Sequence, residues 1–320
     1  MPNSVTAEKA QYHAGILANR LRKRFRHLSR RFARQGISCF RLYDWDIKEV
    51  RAVVDWYSGH AVIGEYVRWQ TGEDWLPRMA QAVAESLNIP LSHVHMKRRQ
   101  TNPEEGPRYT KSGVKGKRLK VQERNLYYWI DLDSHLDTGL FSDHRDTRTM
   151  LGELTRGNDF LNLFAYTGTF TCSAAAGGAK STVSVDRSET YIGWAKDNLV
   201  LNGLWADRHT LIQSDAGMFL DQAYRQKRRF DLAFVDPPSF FQDRLRKKAF
   251  DVNADHPQLL KDVLKLMRSG ATVFFSTNHQ RFEPQLSGLP VRHLTEITAD
   301  TIPEDYRNRK IHRCWRMEAI

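Results

Sequence analysis

The stretch Leu161-Asn-Leu-Phe-Ala-Tyr-Thr-Gly-Thr-Phe170 passes from an apolar run through a glycine turn into a second apolar run. This order predicts a buried strand over Phe160–Phe164, a tight turn at Gly168 and a helix over Thr169–Ala176. The glycine spacing is not G-x-G-x-x-G, so the dinucleotide fingerprint is absent and a nicotinamide-dependent oxidoreductase is disfavoured. The turn therefore predicts a ligand site at a strand end without identifying the ligand.

Strand and helix patterns alternate on the C-terminal side of this turn. The predicted strands are Ser181–Val185, His209–Gln213, Phe230–Val235 and Thr272–Ser276, and the predicted helices are Ser188–Leu201, Ala216–Gln226 and Val252–Arg268. Such alternation is typical of βαβ units, which form a parallel sheet. Two final strand-like runs, Val291–Ile297 and Ile311–Met317, have no normal helix between them and predict an antiparallel edge. We predict an α/β fold, with a seven-stranded, doubly wound, Rossmann-like sheet over residues 141–320.

The first 140 residues have a different pattern and predict a smaller α+β domain. An amphipathic helix is predicted over 12–35, because apolar residues recur on one face at Leu17, Leu21, Phe25, Leu28 and Phe32. Short strand-like runs and a helix over Glu73–Leu87 follow. We therefore place a domain boundary near residue 140.

The charge of the chain is strongly positive. Its 320 residues include 49 Lys or Arg against 37 Asp or Glu, a net charge of +12. Nine of the basic residues lie between Lys9 and Arg34 with no acid, and ten lie between Lys97 and Arg124. These runs are either solvated faces or a surface for a polyanion, and the helix favours RNA over a membrane because no Trp flanks its apolar face. The candidate RNA-binding residues are Arg20, Arg24, Arg31, Lys111, Lys115 and Lys117.

Several classes of protein are excluded by what the sequence lacks. No apolar run approaches ~18 residues, as a membrane span would need, and the first twenty residues do not resemble a secretory signal. Cys39, Cys172 and Cys314 are too few and too far apart for a disulfide framework. His93 and His95 alternate on one strand, but no third ligand lies near them, so we expect no metal. We expect a cytoplasmic protein that does not bind membranes.

Acidic residues follow three of the predicted parallel strands, at the edge where ligands bind in such sheets. Asp186 is placed to accept hydrogen bonds from both hydroxyls of a ribose, and Asp215 from an adenine amine. The third motif is Val235-Asp-Pro-Pro-Ser-Phe240. Its two prolines fix the backbone and have no N–H groups to donate. The carboxylate and the backbone carbonyls are then left as acceptors in a predicted pocket, and Phe240 and Phe241 are available to stack a base.

The order of glycine turn, Asp186, Asp215 and Asp236-Pro-Pro resembles the class I S-adenosylmethionine-dependent methyltransferases. Longer stretches resemble the C-terminal half of the bifunctional large-subunit ribosomal RNA guanine methyltransferases. These stretches are Asp137–Arg145, Leu161–Gly168, Asn198–Gly203 and Asp305–Trp315. That half makes N7-methylguanosine, so the resemblance implies an S-adenosylmethionine-dependent enzyme that methylates guanine N7 in 23S ribosomal RNA.

The resemblance also implies residue roles. Asp186 would hold the ribose, Asp215 the adenine amine, and Arg145, flanked by Asp143 and His144, the methionine carboxylate. The full set of implied cofactor-binding residues is Arg145, Phe164, Tyr166, Thr167, Gly168, Asp186, Arg187, Asp215, Ala216 and Asp236. The implied catalytic residues, which would line the entry of the target base, are Asp236, Pro237 and Phe240.

Chemistry narrows the choice of the atom that accepts the methyl group but leaves more than one candidate. Cytosine C5 needs a covalent partner, usually Cys, and the strand end Phe275-Ser-Thr-Asn278 has none, although Cys314 stays open. Guanine N7 has an exposed lone pair and needs no base, whereas an exocyclic amine would need acceptors that Asp-Pro-Pro also supplies.

The partners implied are ribosomal RNA and a separate chain. A guanine-N2 methyltransferase half precedes this region in the resembled proteins, so we expect either a separate guanine-N2 partner or another target. A non-catalytic RNA-binding ribosome-assembly factor is the alternative from another class.

Overall fold

The computed structural model describes residues 7–67, 72–100, 116–134, 137–243 and 248–320. The chain divides into two compact units: Met1–Ser142 with Glu304–Arg307, and Asp143–Pro303 with Asn308–Ile320. We refer to them as the N-terminal unit and the C-terminal unit. Within the described ranges, every helix is too short or too polar to cross a bilayer.

In its described residues, the N-terminal unit combines two α-helices with a four-stranded sheet and a hairpin. Its elements are α1 (Ala7–Arg34), β1 (Cys39–Asp44), β2 (Ala52–Tyr57), β3 (His60–Val67), α2 (Trp75–Leu87), β4 (Val94–Gln100), β5 (Leu119–Glu123) and β6 (Leu126–Ile130). The sheet order is β1-β2-β3-β4, in which β3 and β4 are parallel and the other pairs are antiparallel. Strands β5 and β6 pair with each other.

The apolar face predicted for α1 is confirmed. Leu17, Leu21, Leu28 and Phe32 are buried, while Phe25 is half-buried and lies against Trp56 with ring centroids 4.8 Å apart. Burial of one stripe leaves the basic residues on the remaining helix surface, as expected of an amphipathic helix.

The segment Glu304–Arg307, which belongs to the N-terminal unit, contacts a buried arginine there. The guanidinium of Arg41 donates to the Asp55 carboxylate at 2.8 and 3.1 Å and lies 4.5 Å from the centre of the Tyr306 ring. The backbone N–H of Arg41 donates to Asp305 at 2.8 Å. A buried ion is tolerated only with such partners, so Asp305 and Tyr306 have a structural role in this unit.

The C-terminal unit is the predicted sheet with helices on both faces. Its elements are α3 (Arg145–Leu154), β7 (Asp159–Leu163), α4 (Thr169–Ala176), β8 (Ser181–Asp186), α5 (Glu189–Leu201), β9 (His209–Gln213), α6 (Ala216–Arg225), β10 (Phe230–Val235), β11 (Phe240–Asp243), β12 (Lys248–Asp251), α7 (Val252–Leu264), β13 (Met267–Thr277), β14 (Val291–Glu296), α8 (Thr298–Thr301) and β15 (Arg313–Ala319). The seven-stranded sheet has the order β14-β15-β13-β10-β7-β8-β9. Strand β15 is antiparallel to both of its neighbours, and the central strands are parallel.

The sheet is buried on both faces, which explains the near-continuous apolar runs of its central strands. Leu161 and Leu163 of β7 pack in one cluster with residues of α6 and α7. Phe160, on the opposite face, packs in a second cluster with residues of α3 and α4. The strand order reverses between β7 and β10, so their carboxyl ends flank the crevice where ligands bind in such sheets.

One helix bound was wrong, and one hairpin was not predicted. The helix predicted to run to Arg268 ends at Leu264, because Met267 already pairs with Phe230 in the sheet. The unpredicted hairpin, formed by β11 and β12, follows Asp-Pro-Pro.

Candidate active site

The turn after β7 has an unusual backbone conformation. Phe164 and Tyr166 adopt left-handed φ angles of 58° and 49°, and Gly168 follows at 72°. Non-glycine residues rarely occupy this region and tend to do so where a site is built. A Cβ at Gly168 would lie 2.6 Å from the Cβ of Ala195 in α5. The close packing of α5 therefore requires glycine here, a reason that the sequence pattern did not give.

Asp186, at the end of β8, fixes this turn. One carboxylate oxygen accepts the backbone N–H of Tyr166 at 2.9 Å, and the other accepts that of Ser188 at 2.9 Å. Burial raises the pKa of Asp186, and the backbone donors oppose that effect. A carboxylate has about four lone-pair sites, so Asp186 keeps acceptor capacity beside its backbone donors for a hydroxyl such as that of a ribose.

Asn198 also supports the turn, although no role was predicted for it. It is fully buried in α5, and its side-chain amide donates to the carbonyl oxygen of Thr167 at 2.8 Å. Its membership of the Asn198–Gly203 stretch was the signal that could have found it.

After the neighbouring strand β9, Asp215 caps α6, since its carboxylate accepts the backbone N–H of Met218 at 3.2 Å. Ala216 is the buried first residue of that helix. The guanidinium of Arg187 lies 4.5 Å from the ring centre of Phe241 in β11, where it makes a cation–π contact. The predicted adenine-side residues therefore lie at strand and helix ends, beside the β11–β12 hairpin in the case of Arg187.

Asp236 directly follows β10 and is half-buried, with 27% of its side chain exposed. Burial raises its pKa to about 6. The nearby Asp143 carboxylate also raises the pKa, while His312 and the Ser276 hydroxyl oppose these effects. The carboxyl group is thus reachable from solvent and titrates near physiological pH, which is typical of functional sites.

The two other predicted catalytic residues differ in exposure. Pro237 is buried, whereas the Phe240 side chain is 59% exposed at the start of β11. An exposed aromatic ring close in sequence to Asp236 has the chemistry to stack on a base.

Two stacked histidines, His144 and His312, lie near Asp236, and no role was predicted for His312 from the sequence. His144 Nε2 is 3.6 Å from an Asp236 carboxylate oxygen. The rings of His144 and His312 are stacked, with centroids 4.1 Å apart and planes inclined by 14°. His312 Nδ1 lies 2.9 Å from an oxygen of Asp143. The only sequence signal for His312 was its position inside the Asp305–Trp315 stretch.

Ligand atoms of Asp143, His144 and His312 lie within 4.8 Å of one another, a spacing that a metal ion would need. The ring geometry favours a hydrogen-bonding role instead. In-plane lone pairs of two nearly parallel stacked rings do not converge on one point, and His312 uses Nε2 for Thr301 at 3.0 Å. The donor set therefore does not fit a metal in this arrangement.

Arg145 begins α3, directly after His144, and its side chain is buried at 1% exposure. Its predicted contact with a methionine carboxylate stays a prediction. Cys314, the thiol that sequence left open as a nucleophile, is fully buried, and its pKa is raised by burial and by the charges of Asp236 and Glu296. Burial also raises the pKa of Cys172. Neither thiol is activated as a covalent catalyst needs.

Three of the predicted RNA-binding arginines have partners inside the N-terminal unit: Arg20 pairs with Asp46, Arg24 donates to the Asp305 carbonyl and Arg31 pairs with Glu304. Lys117 is exposed, and Lys111 and Lys115 lie outside the described residues. Five other basic residues of α1 are exposed, and none of them was among the predicted RNA-binding residues. We call them the basic stripe: Arg22, Lys23, Arg26, Arg30 and Arg34.

Solved structures with this architecture are numerous. SMU.776, a candidate methyltransferase solved in complex with SAH, matches with a TM-score of 0.78 and 20% identity, over 96% of this chain and 82% of that one. A candidate S-adenosylmethionine-dependent methyltransferase from Streptococcus mutans matches with a TM-score of 0.76 and 18% identity, over 96% and 81% of the two chains.

An S-adenosylmethionine-dependent methyltransferase from Agrobacterium tumefaciens matches with a TM-score of 0.64 and 18% identity, over 89% of this chain and 92% of that one. At these sequence identities, the similarity to solved structures shows only a shared fold. The family is shown by a family model for S-adenosylmethionine-dependent methyltransferases, which matches residues 72–300, more than half of the chain. The chain belongs to the S-adenosylmethionine-dependent methyltransferase family.

Proposed function

We propose that this methyltransferase modifies N7 of a guanine in large-subunit (23S) ribosomal RNA. The observation that carries the proposal is the reachable carboxylate of Asp236, at the switch point of the sheet and close in sequence to the exposed ring of Phe240. This pair has the chemistry to hold a base by its edge and its face, next to the strand ends that would hold the methyl donor.

Bound S-adenosylmethionine supplies an electrophilic methyl group on a sulfonium. The residues of this chain hold it in place: Asp186 accepts from the ribose hydroxyls, and the turn from Phe164 to Gly168 faces the methionine part. Arg145 pairs with the methionine carboxylate, and Asp215, Ala216 and Arg187 border the adenine. The anchoring of Tyr166 and Ser188 on Asp186 supports this assignment, because it orients the carboxylate before any ligand arrives.

Guanine suits the Asp236 pocket because its Watson–Crick edge offers two donors, N1–H and N2–H, to one ionised carboxylate. N7 lies on the opposite edge of the ring and carries a lone pair without a proton. Holding that nitrogen in line with the methyl group is then most of the catalysis. Extrusion of the base from its stack costs a few kcal/mol, which contacts with Phe240 and Asp236 would offset.

The basic stripe of α1 is the part of the N-terminal unit that we assign to the RNA backbone. Its five cations are exposed on the face opposite the buried Leu17 and Leu21, and the chain carries a net charge of +12. Clustered Lys and Arg on one helix face bind phosphates without reading sequence.

An exocyclic amine, N2 of guanine or N6 of adenine, is the second candidate acceptor. The pKa of Asp236 near 6 favours it, since a carboxylate that titrates close to neutral pH can take up the proton that an amine must lose. The buried, protonated Cys314 gives no comparable support to cytosine C5.

The deciding experiment uses ribosomal RNA from a strain that lacks this gene. The RNA is incubated with the protein and labelled S-adenosylmethionine, digested to nucleosides and analysed by mass spectrometry, with the Asp236→Ala protein as the matched negative control. Labelled N7-methylguanosine supports the proposal, and labelled N2-methylguanosine or N6-methyladenosine selects the second candidate. Absence of both label and S-adenosylmethionine binding would favour the non-catalytic assembly factor.

A further inference from the structure

The hydrogen bonds around His312 determine its charge. Thr301 Oγ1 lies 2.9 Å from the Thr298 carbonyl oxygen, and a carbonyl can only accept, so the single hydroxyl proton of Thr301 is donated there. The same Oγ1 lies 3.0 Å from His312 Nε2. With its proton on the Thr298 carbonyl, Thr301 accepts at Oγ1, and Nε2 of His312 is then the donor of this hydrogen bond.

The other ring nitrogen also donates. His312 Nδ1 is 2.9 Å from an Asp143 carboxylate oxygen, and an ionised carboxylate is an acceptor only. An imidazole that donates from both nitrogens is an imidazolium. The ring is 1% exposed, and the ion pair with Asp143 supplies the partner that a buried charge needs.

His144 lies between this cation and Asp236. Its pKa is held well below the ordinary value by burial, by the charge of His312 and by that of Arg148. The neutral ring stacks flat on His312, and its Nε2 faces Asp236 at 3.6 Å. Because Nδ1 faces the Thr147 hydroxyl at 3.4 Å, that hydroxyl can donate to Nδ1 and leave Nε2–H aimed at the Asp236 carboxylate.

We propose that His312 is a positively charged positioning residue, whose buried imidazolium favours the ionised form of Asp236 while His144 orients that carboxylate towards the target base. The assignment of the base as guanine rests on the proposed function, whereas the charge of His312 does not. The electrostatics agree with the geometry, since burial raises the pKa of Asp236 and His312 is the first group that lowers it.

Asp236 faces titratable groups from several parts of the C-terminal unit: Asp143 and His144 before α3, and His312 and Cys314 around the start of β15. The hydroxyl of Ser276 in β13 also acts on it. Arg148 of α3 acts on His144. Among these groups, the Asp143 carboxylate opposes the ionisation of Asp236 and the His312 imidazolium favours it.

An ionised Asp236 has a use in the methyl transfer. The bond between sulfur and methyl breaks with its electron pair left on sulfur, and the N7 lone pair forms the new N–C bond. No proton is released. The positive charge therefore moves from the sulfonium to the guanine ring, which makes N1–H a stronger donor. A fixed carboxylate at that edge stabilises the charge where it develops.

The charge of His312 is tested without any substrate. The protein is labelled with 15N-histidine, and two-bond 1H–15N correlations are recorded at pH 7.5 for the wild type and for His312→Gln, which identifies the His312 signals by their loss. We expect both His312 nitrogens at imidazolium shifts and a neutral His144 pattern. A neutral His312 would overturn the proposal.

The role of that charge is tested by single-turnover methyl transfer between pH 5.5 and 9. His312→Gln keeps a donor for Asp143 but loses the charge, and His209→Gln, at another buried histidine that bonds a threonine hydroxyl, is the matched control. We expect about fivefold slower transfer than wild type at pH 6 and near-equal rates at pH 8.5, the result of an Asp236 pKa about one unit higher.

A loss that is equal at all pH values would show that His312 is merely structural, and an unchanged profile would show that its charge is irrelevant. If no RNA is methylated even by the wild type, the proposed function fails, and the 15N experiment still decides the charge of His312.

Discussion

The carboxylate of Asp186 accepts the backbone N–H of Tyr166 at 2.9 Å, which joins the end of β8 to the turn after β7. The bond holds Tyr166 in a left-handed conformation that costs on the order of 1 kcal/mol or more for a non-glycine residue. One side chain thus shapes the turn and keeps acceptor capacity for a ligand. We infer that cofactor affinity and turn geometry are coupled through Asp186.

Replacement of Asp186 by Ala should weaken S-adenosylmethionine binding by about ten- to a hundredfold, because charge-assisted hydrogen bonds to the ribose contribute roughly 1.5–3 kcal/mol. Calorimetric titration with S-adenosylmethionine measures the effect. Asp221→Ala, at an exposed position of α6, is the control and should bind as wild type does. An unchanged dissociation constant for Asp186→Ala would remove its role at the ribose.

Gly168→Ala should destabilise the fold by about 2–4 kcal/mol, since the new Cβ would lie 2.6 Å from Ala195 on a backbone with φ near +72°. The double variant Gly168→Ala/Ala195→Gly relieves the clash but not the backbone strain. Urea unfolding of the four proteins in this cycle should therefore give a favourable coupling of about 1 kcal/mol or more. Strict additivity would show that the two residues do not contact each other.

The fold was predictable because its signals are local and repeated. The bounds of Thr169–Ala176, His209–Gln213 and Phe230–Val235 are the same in the sequence analysis and in the structure. Apolar runs bounded by turns determine where these elements begin and end. The right-handed connection of βαβ units then limits the order in which the strands can lie in the sheet.

The parts of the site that sequence missed depend on long-range contacts. Nothing in the local pattern of His312 indicates that it stacks on His144 behind Asp236. The same holds for Asp305, which supports the buried Arg41. Arg20 and Arg31 were predicted to bind RNA because of their charge. Their partners, Asp46 and Glu304, lie outside the run of basic residues, so the local sequence does not reveal these ion pairs.

Asp236→Asn should stabilise the protein at pH 8 and have no such effect at pH 4. Burial raises the folded-state pKa of Asp236 from 3.8 to about 6, so its contribution to stability is fully present below the unfolded-state pKa and is lost as the pH rises through 6. A neutral amide avoids that loss, which we put at about 1–3 kcal/mol with 27% of the side chain exposed. Methyl transfer should fall sharply in the same variant.

The measurement is chemical denaturation of Asp236→Asn and wild type across this pH range, with Asp221→Asn as the matched control. Equal stability of the Asp236 variant and wild type at pH 8 would contradict the burial argument.

Cys314→Ser should retain methyl-transfer activity within about threefold. The thiol is fully buried and its pKa is raised by burial and by Asp236, so it has no thiolate with which to attack a pyrimidine. The labelled-nucleoside assay measures the rate, and thermal unfolding checks the fold of the variant. Complete loss of activity in a folded Cys314→Ser protein, together with labelled 5-methylcytidine from the wild type, would establish cysteine chemistry instead.

The basic stripe of α1 should determine how RNA binding depends on salt. We compare the triple variant Lys23→Ala/Arg26→Ala/Arg30→Ala with Arg225→Ala/Lys227→Ala/Lys261→Ala, which removes the same number of charges from exposed positions of the C-terminal unit. Each phosphate contact releases condensed counterions, with a slope contribution of about 0.7–0.9 in log affinity against log salt. The stripe variant should therefore lower that slope by about 2–3 and weaken binding similarly for all sequences, while the control changes it little. Arg20 and Arg31 already pair with acids. Their replacement should therefore lower the free energy of unfolding of the N-terminal unit and leave the salt dependence of RNA binding nearly unchanged. If the two triple variants lower the slope equally, RNA follows the net charge of the chain and α1 is not the docking element.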